Sequence, residues 1–146
     1  MFSKSCQYAI KATIYIGKKS MENVRVSLND IAEETDSPKA FTGKILQELA
    51  KKKILDSIKG PFGGFEIKKE NMHRIKLREI VLAIDGDSIY VDCGLGLKKC
   101  SEESPCPIHH VYKHVRQNTV KMLDELSVYD LIEKVESGET VLKLKE

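Results

Sequence analysis

Apolar residues recur at helical spacing along most of the chain, which predicts a mainly α protein. The apolar positions of the first segment share one face of a helix predicted over residues 5–19. Ser27 is suited to cap a short second helix. Ser37 followed by Pro38 is typical of a helix start and predicts a third helix that ends near the lysines at 51–53.

A polar break at residues 34–36 separates the second and third helices, and two short helices joined in this way have the spacing of a helix-turn-helix. Directly behind them, residues 54–58 and 65–67 are predicted to form two short strands around the turn sequence KGPFGG. A hairpin in this position is typical of the wing of a winged helix. The alternative is a small α+β domain whose hairpin only covers the core.

The second half of the chain predicts a fourth helix over residues 77–84, closed by Asp85 and Gly86. A longer helix follows over residues 107–126, with an apolar stripe at heptad spacing formed by Ile108, Tyr112, Val115, Thr119, Met122 and Leu126. The stripe predicts either pairing with a second copy of the chain or packing on the helix's own core. Another short helix is predicted over residues 127–135. Apolar and polar residues alternate over residues 140–145, and this pattern does not decide their secondary structure.

These elements predict a mainly α fold with a small β-hairpin wing. Residues 1–86 would form a winged helix-turn-helix domain, residues 87–106 a cysteine-rich loop, and residues 107–146 a dimerisation helix with a C-terminal segment. A length of 146 residues allows one ordinary hydrophobic core without disulfides.

Charge adds little to this picture. The net charge of +2 hides a basic front, since residues 1–60 hold 11 Lys or Arg against 7 Asp or Glu, whereas residues 61–146 hold 13 against 15. This excess favours nucleic-acid binding only slightly. The sequence contains no apolar run of membrane-spanning or signal-peptide length, so we expect a cytoplasmic protein without membrane contact, in which thiols stay reduced.

The candidate chemistry lies in the stretch CGLGLKKCSEESPCPIHH, which holds three of the four cysteines and two histidines within residues 93–110. Gaps of six and five residues between the cysteines suit a loop around an iron–sulfur cluster, whereas structural zinc usually begins with a short C-x2-4-C pair. Zinc and a purely redox-active thiol group are the alternatives. A cysteine-nucleophile enzyme is not indicated, because no local pattern supplies an oriented base or an oxyanion hole.

Several segments together resemble one family. The opening SCQYAIKAT, the stretch SPKAFTGKILQELAKKKIL, the wing IKGPFGGFEI and the cysteine triplet ending in CPIH are similar to the Rrf2 family of bacterial winged-helix transcription regulators. The resemblance covers nearly the whole chain. It implies a homodimer that binds double-stranded DNA at a pseudo-palindromic operator and is controlled by an iron–sulfur cluster reporting iron, redox or nitric oxide status.

The resemblance also implies the cluster ligands, which are Cys93, Cys100, Cys106 and His109. It favours a 2Fe–2S over a 4Fe–4S cluster, with zinc as the weaker alternative. The first cysteine gap has six residues where the family pattern has five. Gln7 stands where another subgroup has an acidic ligand, and neighbouring Cys6 is the reserve candidate for the fourth ligand.

A winged helix places its third helix in the major groove with the first turn nearest the base edges. The DNA-contacting residues predicted on this basis are Ser37, Lys39, Ala40, Phe41, Thr42 and Lys44, with Lys59 and Pro61 of the wing near the minor groove or its phosphates. Phe41 has a second interpretation as a core residue. The competing function is a zinc-stabilised or cofactor-free protein-interaction adaptor that uses the winged fold without DNA.

Overall fold

A computed structural model describes residues 1–142, which form seven α-helices, one short 3-10 helix and one antiparallel hairpin. In chain order the elements are α1 (Lys4–Met21), α2 (Leu28–Glu34), α3 (Lys39–Lys51), β1 (Asp56–Ile58), β2 (Gly64–Glu66), the 3-10 helix (Lys69–Asn71), α4 (Leu77–Asp85), α5 (Ser88–Val91), α6 (His109–Glu125) and α7 (Val128–Glu136). Half of the alternating tail predicted at residues 140–145, namely residues 143–145, lies outside the described residues.

The helix-turn-helix is formed by α2 and α3. Ser27 caps α2 through a capping box, because its hydroxyl accepts from the Asp30 N–H while the Asp30 carboxylate accepts from the Ser27 N–H. The break is a tight turn in which Asp36 takes a φ of +51°. The turn follows the end of α2 at Glu34, and α3 begins at Lys39, directly after Pro38.

The wing is the hairpin of β1 and β2, residues 56–66. Asp56 pairs with Glu66 and Ile58 with Gly64. Two features make the turn depend on glycine: Gly60 has a φ of +103°, and a Cβ at Gly63 would collide with the Ile58 carbonyl. The chain therefore reverses tightly, and Phe65 of the wing pairs with Val26 in the segment before α2.

The core lies around α1, which packs against α3, α4 and α7. Its fully buried side chains include Ile16, Leu46, Ile80 and Ile132, and burying each such side chain contributes about 1.5–3 kcal/mol. Gly17 lets α7 approach closely, because a Cβ there would lie 2.5 Å from Ile132 Cδ1. Residues 128–136 therefore share the core of the amino-terminal winged helix.

The long helix α6 divides its apolar residues between two environments. Leu123 is fully buried within the chain, Thr119 is 7% exposed, and α6 packs there against α4. Val111, Val115 and Met122 stay 73%, 49% and 36% exposed. The predicted stripe therefore differs from the buried face, since Leu123 was not part of it and Thr119 packs inside the chain.

Candidate cluster and DNA sites

The three cysteines predicted as ligands meet in one place. Cys93 follows α5, Cys106 precedes α6, and Cys100 lies midway along the connecting segment, which we call the cysteine loop (residues 93–106). Their sulfur atoms all lie within 4.8 Å of one another, and the Cys93 and Cys106 sulfurs are 3.6 Å apart. The structure therefore brings together residues that the sequence separates by up to 13 positions.

His109 joins this group as the first residue of α6. Its Nδ1 lies 3.1 Å from the Cys100 sulfur, and its side chain is only 16% exposed. A cavity of about 110 Å³ opens among Cys93, Cys106, His109 and the first turns of α6. The four donors thus form two close pairs, Cys93 with Cys106 and Cys100 with His109.

The cysteine loop supplies amide hydrogens to the sulfur atoms. The Leu95 N–H donates to the Cys93 sulfur at 3.4 Å, and the Cys106 N–H donates to the Cys100 sulfur at 3.4 Å. Hydrogen bonds from the backbone of Leu95 and Leu97 lower the pKa of Cys93 to about 7, because they stabilise the thiolate. The positive end of α6 also favours negative charge at this place. Three sulfur donors, which bind iron as thiolates, and one imidazole fit an iron–sulfur cluster.

Cys6 and Gln7 lie apart from the cysteine loop. Cys6 is fully buried in α1, and burial followed by the neighbouring Asp85 raises its pKa to about 12. Gln7 is exposed and its amide donates to the Phe2 carbonyl. Within residues 1–142, the group of close thiols contains neither residue, and the geometry favours His109 over Cys6 as the fourth donor.

Two residues at the cluster site were not anticipated. Glu102 lies with one carboxylate oxygen 3.4 Å from Nε2 of His109 and 2.5 Å from the Lys113 ammonium. Arg116 donates to the Asp92 carbonyl and so ties the start of the cysteine loop to α6. Glu102 could have been noticed as an acidic residue two positions after a predicted ligand.

The start of α3 presents part of the predicted DNA-contacting set to solvent. Lys39, Ala40 and Lys44 are exposed. Phe41 is half-buried and packs edge-on against Tyr8, with ring centroids 5.7 Å apart. Its core interpretation therefore describes the structure better than a base contact.

Thr42 differs from the prediction because it is only 2% exposed. Its hydroxyl donates to the Pro38 carbonyl and contacts the Ser37 hydroxyl, which in turn bonds to Thr35. These hydroxyls hold the turn between α2 and α3 and leave Ser37 half-buried. We therefore assign Thr42 to shaping the turn and leave it out of the DNA-contacting surface.

The wing presents Lys59 and Pro61 as exposed residues, and Phe62 at its tip is 87% exposed. Arg25, before α2, makes a 2.8 Å ion pair with Glu66 and donates to the Phe62 carbonyl at 3.2 Å. Arg25 was not among the predicted residues. It braces the wing against the rest of the winged helix.

Comparisons with known proteins identify a matching family and several similar regulators. The model of the family described as "Rrf2: Iron-dependent Transcriptional regulator" matches residues 2–134. A putative HTH-type transcriptional regulator of Aquifex aeolicus is 31% identical over 134 residues, covering 90% of this chain and 91% of that protein. The HTH-type transcriptional regulator NsrR of Oceanobacillus iheyensis is 25% identical, covering 91% of this chain and 90% of its own.

Solved structures show the same fold. CymR (YrzC), the global cysteine regulator of B. subtilis, superposes with a TM-score of 0.75 at 20% identity over 91% of this chain and 96% of its own. IscR of T. potens gives a TM-score of 0.73 at 20% identity over 98% of this chain and 93% of its own. The winged-helix fold predicted from the sequence is thereby confirmed. Within residues 1–142, each helix is too short or too polar to cross a lipid bilayer.

Proposed function

The chain belongs to the Rrf2 family of transcriptional regulators, and on that premise we propose that it is a homodimeric DNA-binding regulator controlled by an iron–sulfur cluster. The proposed ligands are Cys93, Cys100, Cys106 and His109. The proposed DNA contacts are Ser37, Lys39, Ala40, Lys44, Lys59 and Pro61. The relatives and structural neighbours described above are transcription regulators rather than enzymes.

The convergence of three thiols and one imidazole at the start of α6 carries the cluster proposal. The pairs Cys93–Cys106 at 3.6 Å and Cys100–His109 at 3.1 Å support a 2Fe–2S cluster that these four side chains would hold. Long gaps between the cysteines weigh against structural zinc. When bound, the cluster would supply one-electron redox chemistry and reactivity towards oxidants and nitric oxide, with a potential raised by the neutral imidazole.

The homodimer proposal rests on the outward face of α6. Val111, Val115 and Met122 remain exposed on a helix that also carries heptad spacing. Three large apolar residues in a row on one surface helix are typical of an interface. A second copy of α6 is the proposed partner for this face.

The position of the cysteine loop suggests how the cluster would control DNA binding. Cys93 lies at the end of the chain segment that follows α4, whereas Cys106 and His109 lie at the start of α6. Holding these donors at one point would add to the packing of α6 on α4 and fix the first turn of α6 relative to the winged helix. Releasing the donors would allow the start of α6 to move relative to the winged helix. In a dimer, this movement would change the spacing between the two winged helices and so their fit to successive half-sites.

Anaerobic purification with analysis of iron and acid-labile sulfide tests the cluster. We expect a coloured protein with near-equal iron and sulfide, and we expect Cys106→Ser to lose both. Cys6→Ser is the matched control, because it removes a thiol that lies outside the cysteine loop, and it should keep the colour. Stoichiometric zinc without sulfide would contradict the proposal and favour a zinc-stabilised protein.

A further inference from the structure

Glu102 lies at the edge of the candidate cluster site without being one of its proposed ligands. Its Oε1 is 3.4 Å from Nε2 of His109, and its Oε2 is 3.9 Å from Nδ1 of His110. His109 presents its other nitrogen, Nδ1, to the Cys100 sulfur at 3.1 Å. The imidazole of His109 is therefore placed between a thiol and a carboxylate.

The Nε2 atom of His109 needs a partner. It is shielded from solvent, and within the described residues it makes no complete hydrogen bond, because the approach of Glu102 falls short in alignment. A buried nitrogen without a hydrogen bond costs about 1–3 kcal/mol. Glu102 is 58% exposed, so a small movement of its carboxylate would complete the bond.

Lys113 holds the carboxylate of Glu102 near Nε2 of His109. Its ammonium lies 2.5 Å from Oε1 of Glu102. Lys113 follows His109 by four residues on α6, so both side chains lie on one face of the helix. The next residue, Glu103, is exposed and makes no ion pair within residues 1–142. The two adjacent glutamates therefore differ in position while carrying the same charge.

We propose that Glu102 is a positioning residue for His109: its carboxylate accepts the Nε2–H, which fixes the ring orientation and the tautomer that leaves Nδ1 free to face the thiols. This inference rests on the proposed function only in taking His109 as a ligand. A carboxylate behind a ligating histidine holds the ring and increases the basicity of the ligating nitrogen. The carboxylate thus adjusts the site without touching the cluster itself.

The tautomer of His109 tests the inference in the metal-free full-length chain. Long-range 1H–15N correlation spectra distinguish the two neutral tautomers of an imidazole. We expect His109 to carry its proton on Nε2 in the wild type and in Glu102→Gln, whose amide oxygen still accepts. Glu102→Ala should populate both tautomers, and Glu103→Ala should match the wild type. A wild-type proton on Nδ1, or a spectrum unchanged by Glu102→Ala, overturns the proposal.

The reduction potential tests the same residue in the anaerobically purified protein. Removing the carboxylate charge next to the histidine should shift the potential of Glu102→Gln upward, while Glu103→Gln stays at the wild-type value. Equal shifts of the potential in both variants would show that Glu102 acts only as a surface charge. Loss of iron from Glu102→Gln would indicate that Glu102 is itself a ligand. Either result overturns the positioning role. A wild type without iron and sulfide would refute the proposed function, whereas the tautomer experiment would still decide the role of Glu102.

Discussion

Replacing Lys44 or Lys59 by alanine should weaken DNA binding and make it less dependent on salt. Lys44 lies on the exposed face of α3 and Lys59 at the turn of the wing. Neither lysine forms an ion pair with a carboxylate within the described residues, so each ammonium is available to a DNA phosphate. Each substitution thus removes one positive charge from the proposed DNA-contacting surface without breaking a contact inside the chain.

The expected magnitude follows from counterion release. Each phosphate contact contributes about 0.9 to the slope of log K against log salt. If each lysine neutralises one phosphate in each half of a two-fold dimer, one substitution removes two contacts and lowers the slope by up to about 1.8. At about 0.1 M salt that corresponds to a loss of affinity of roughly 60-fold, compared with roughly 8-fold for a single contact.

Fluorescence anisotropy with a duplex selected from random DNA would measure affinity at several salt concentrations. Lys121→Ala is the matched control, because it removes the same charge from an exposed position on α6, outside the winged helix. We expect its slope to equal that of the wild type. Unchanged affinity and slope in both Lys44→Ala and Lys59→Ala would refute the assigned DNA-contacting surface.

Three further predictions concern the dimer, the fourth ligand and stability. Glutamates at both Val115 and Met122 should give monomers that bind DNA poorly, and a dimer by sedimentation at micromolar concentration would place the interface elsewhere. His109→Cys should keep the cluster and lower its reduction potential, whereas His109→Ala should make it labile in air; an unchanged spectrum and potential in His109→Ala would contradict the assignment. Asp130→Ala should destabilise the fold by about 1 kcal/mol at pH 7 in urea unfolding, because Asp130 completes the capping box of α7. A hydrogen bond from the backbone N–H of Ser127 lowers the pKa of Asp130 in the folded protein. The stabilisation by Asp130 is therefore complete above the ordinary carboxyl pKa and is lost as the pH falls through the pKa of Asp130 in the folded protein. A difference in stability between variant and wild type that persists in acid would contradict this reason.

Much of the fold could be predicted because local chemistry decides it. Ser27 caps α2 and Gly86 ends α4 as predicted, and Ser127, predicted as the first residue of the last helix, caps α7. The glycines of the wing leave the chain few alternatives to a tight reversal. A helix cap or a tight turn is determined by two to four adjacent residues, so its physical cause can be read directly from the sequence.

The remaining differences arise where neighbours distant in sequence decide the outcome. Thr42 in the first turn of α3 was predicted to contact DNA, whereas it is buried and its hydroxyl contacts Ser37 and the Pro38 carbonyl. On α6, heptad spacing identified an apolar stripe but missed Leu123, which packs on α4. Two adjacent apolar faces of a helix look alike in sequence, and only the tertiary packing separates them.

The candidate cluster site divides in the same way. The ligand set could be proposed because cysteines are few and their spacing resembles a known family. The short helix α5 before Cys93 and the approach of Glu102 to His109 had no periodic pattern to indicate them. Their positions depend on how the cysteine loop folds back on α6, which local spacing does not encode.

The affinity of one preparation for duplex DNA, measured before and after the cluster is removed, tests the central claim most directly. The account predicts that removal by nitric oxide or a chelator changes the dissociation constant at least about tenfold, which is a coupling free energy of about 1.4 kcal/mol. The Cys106→Ser variant should give the value of the cluster-free protein under both treatments. Equal dissociation constants for the cluster-loaded and cluster-free wild type would contradict control of DNA binding by the cluster.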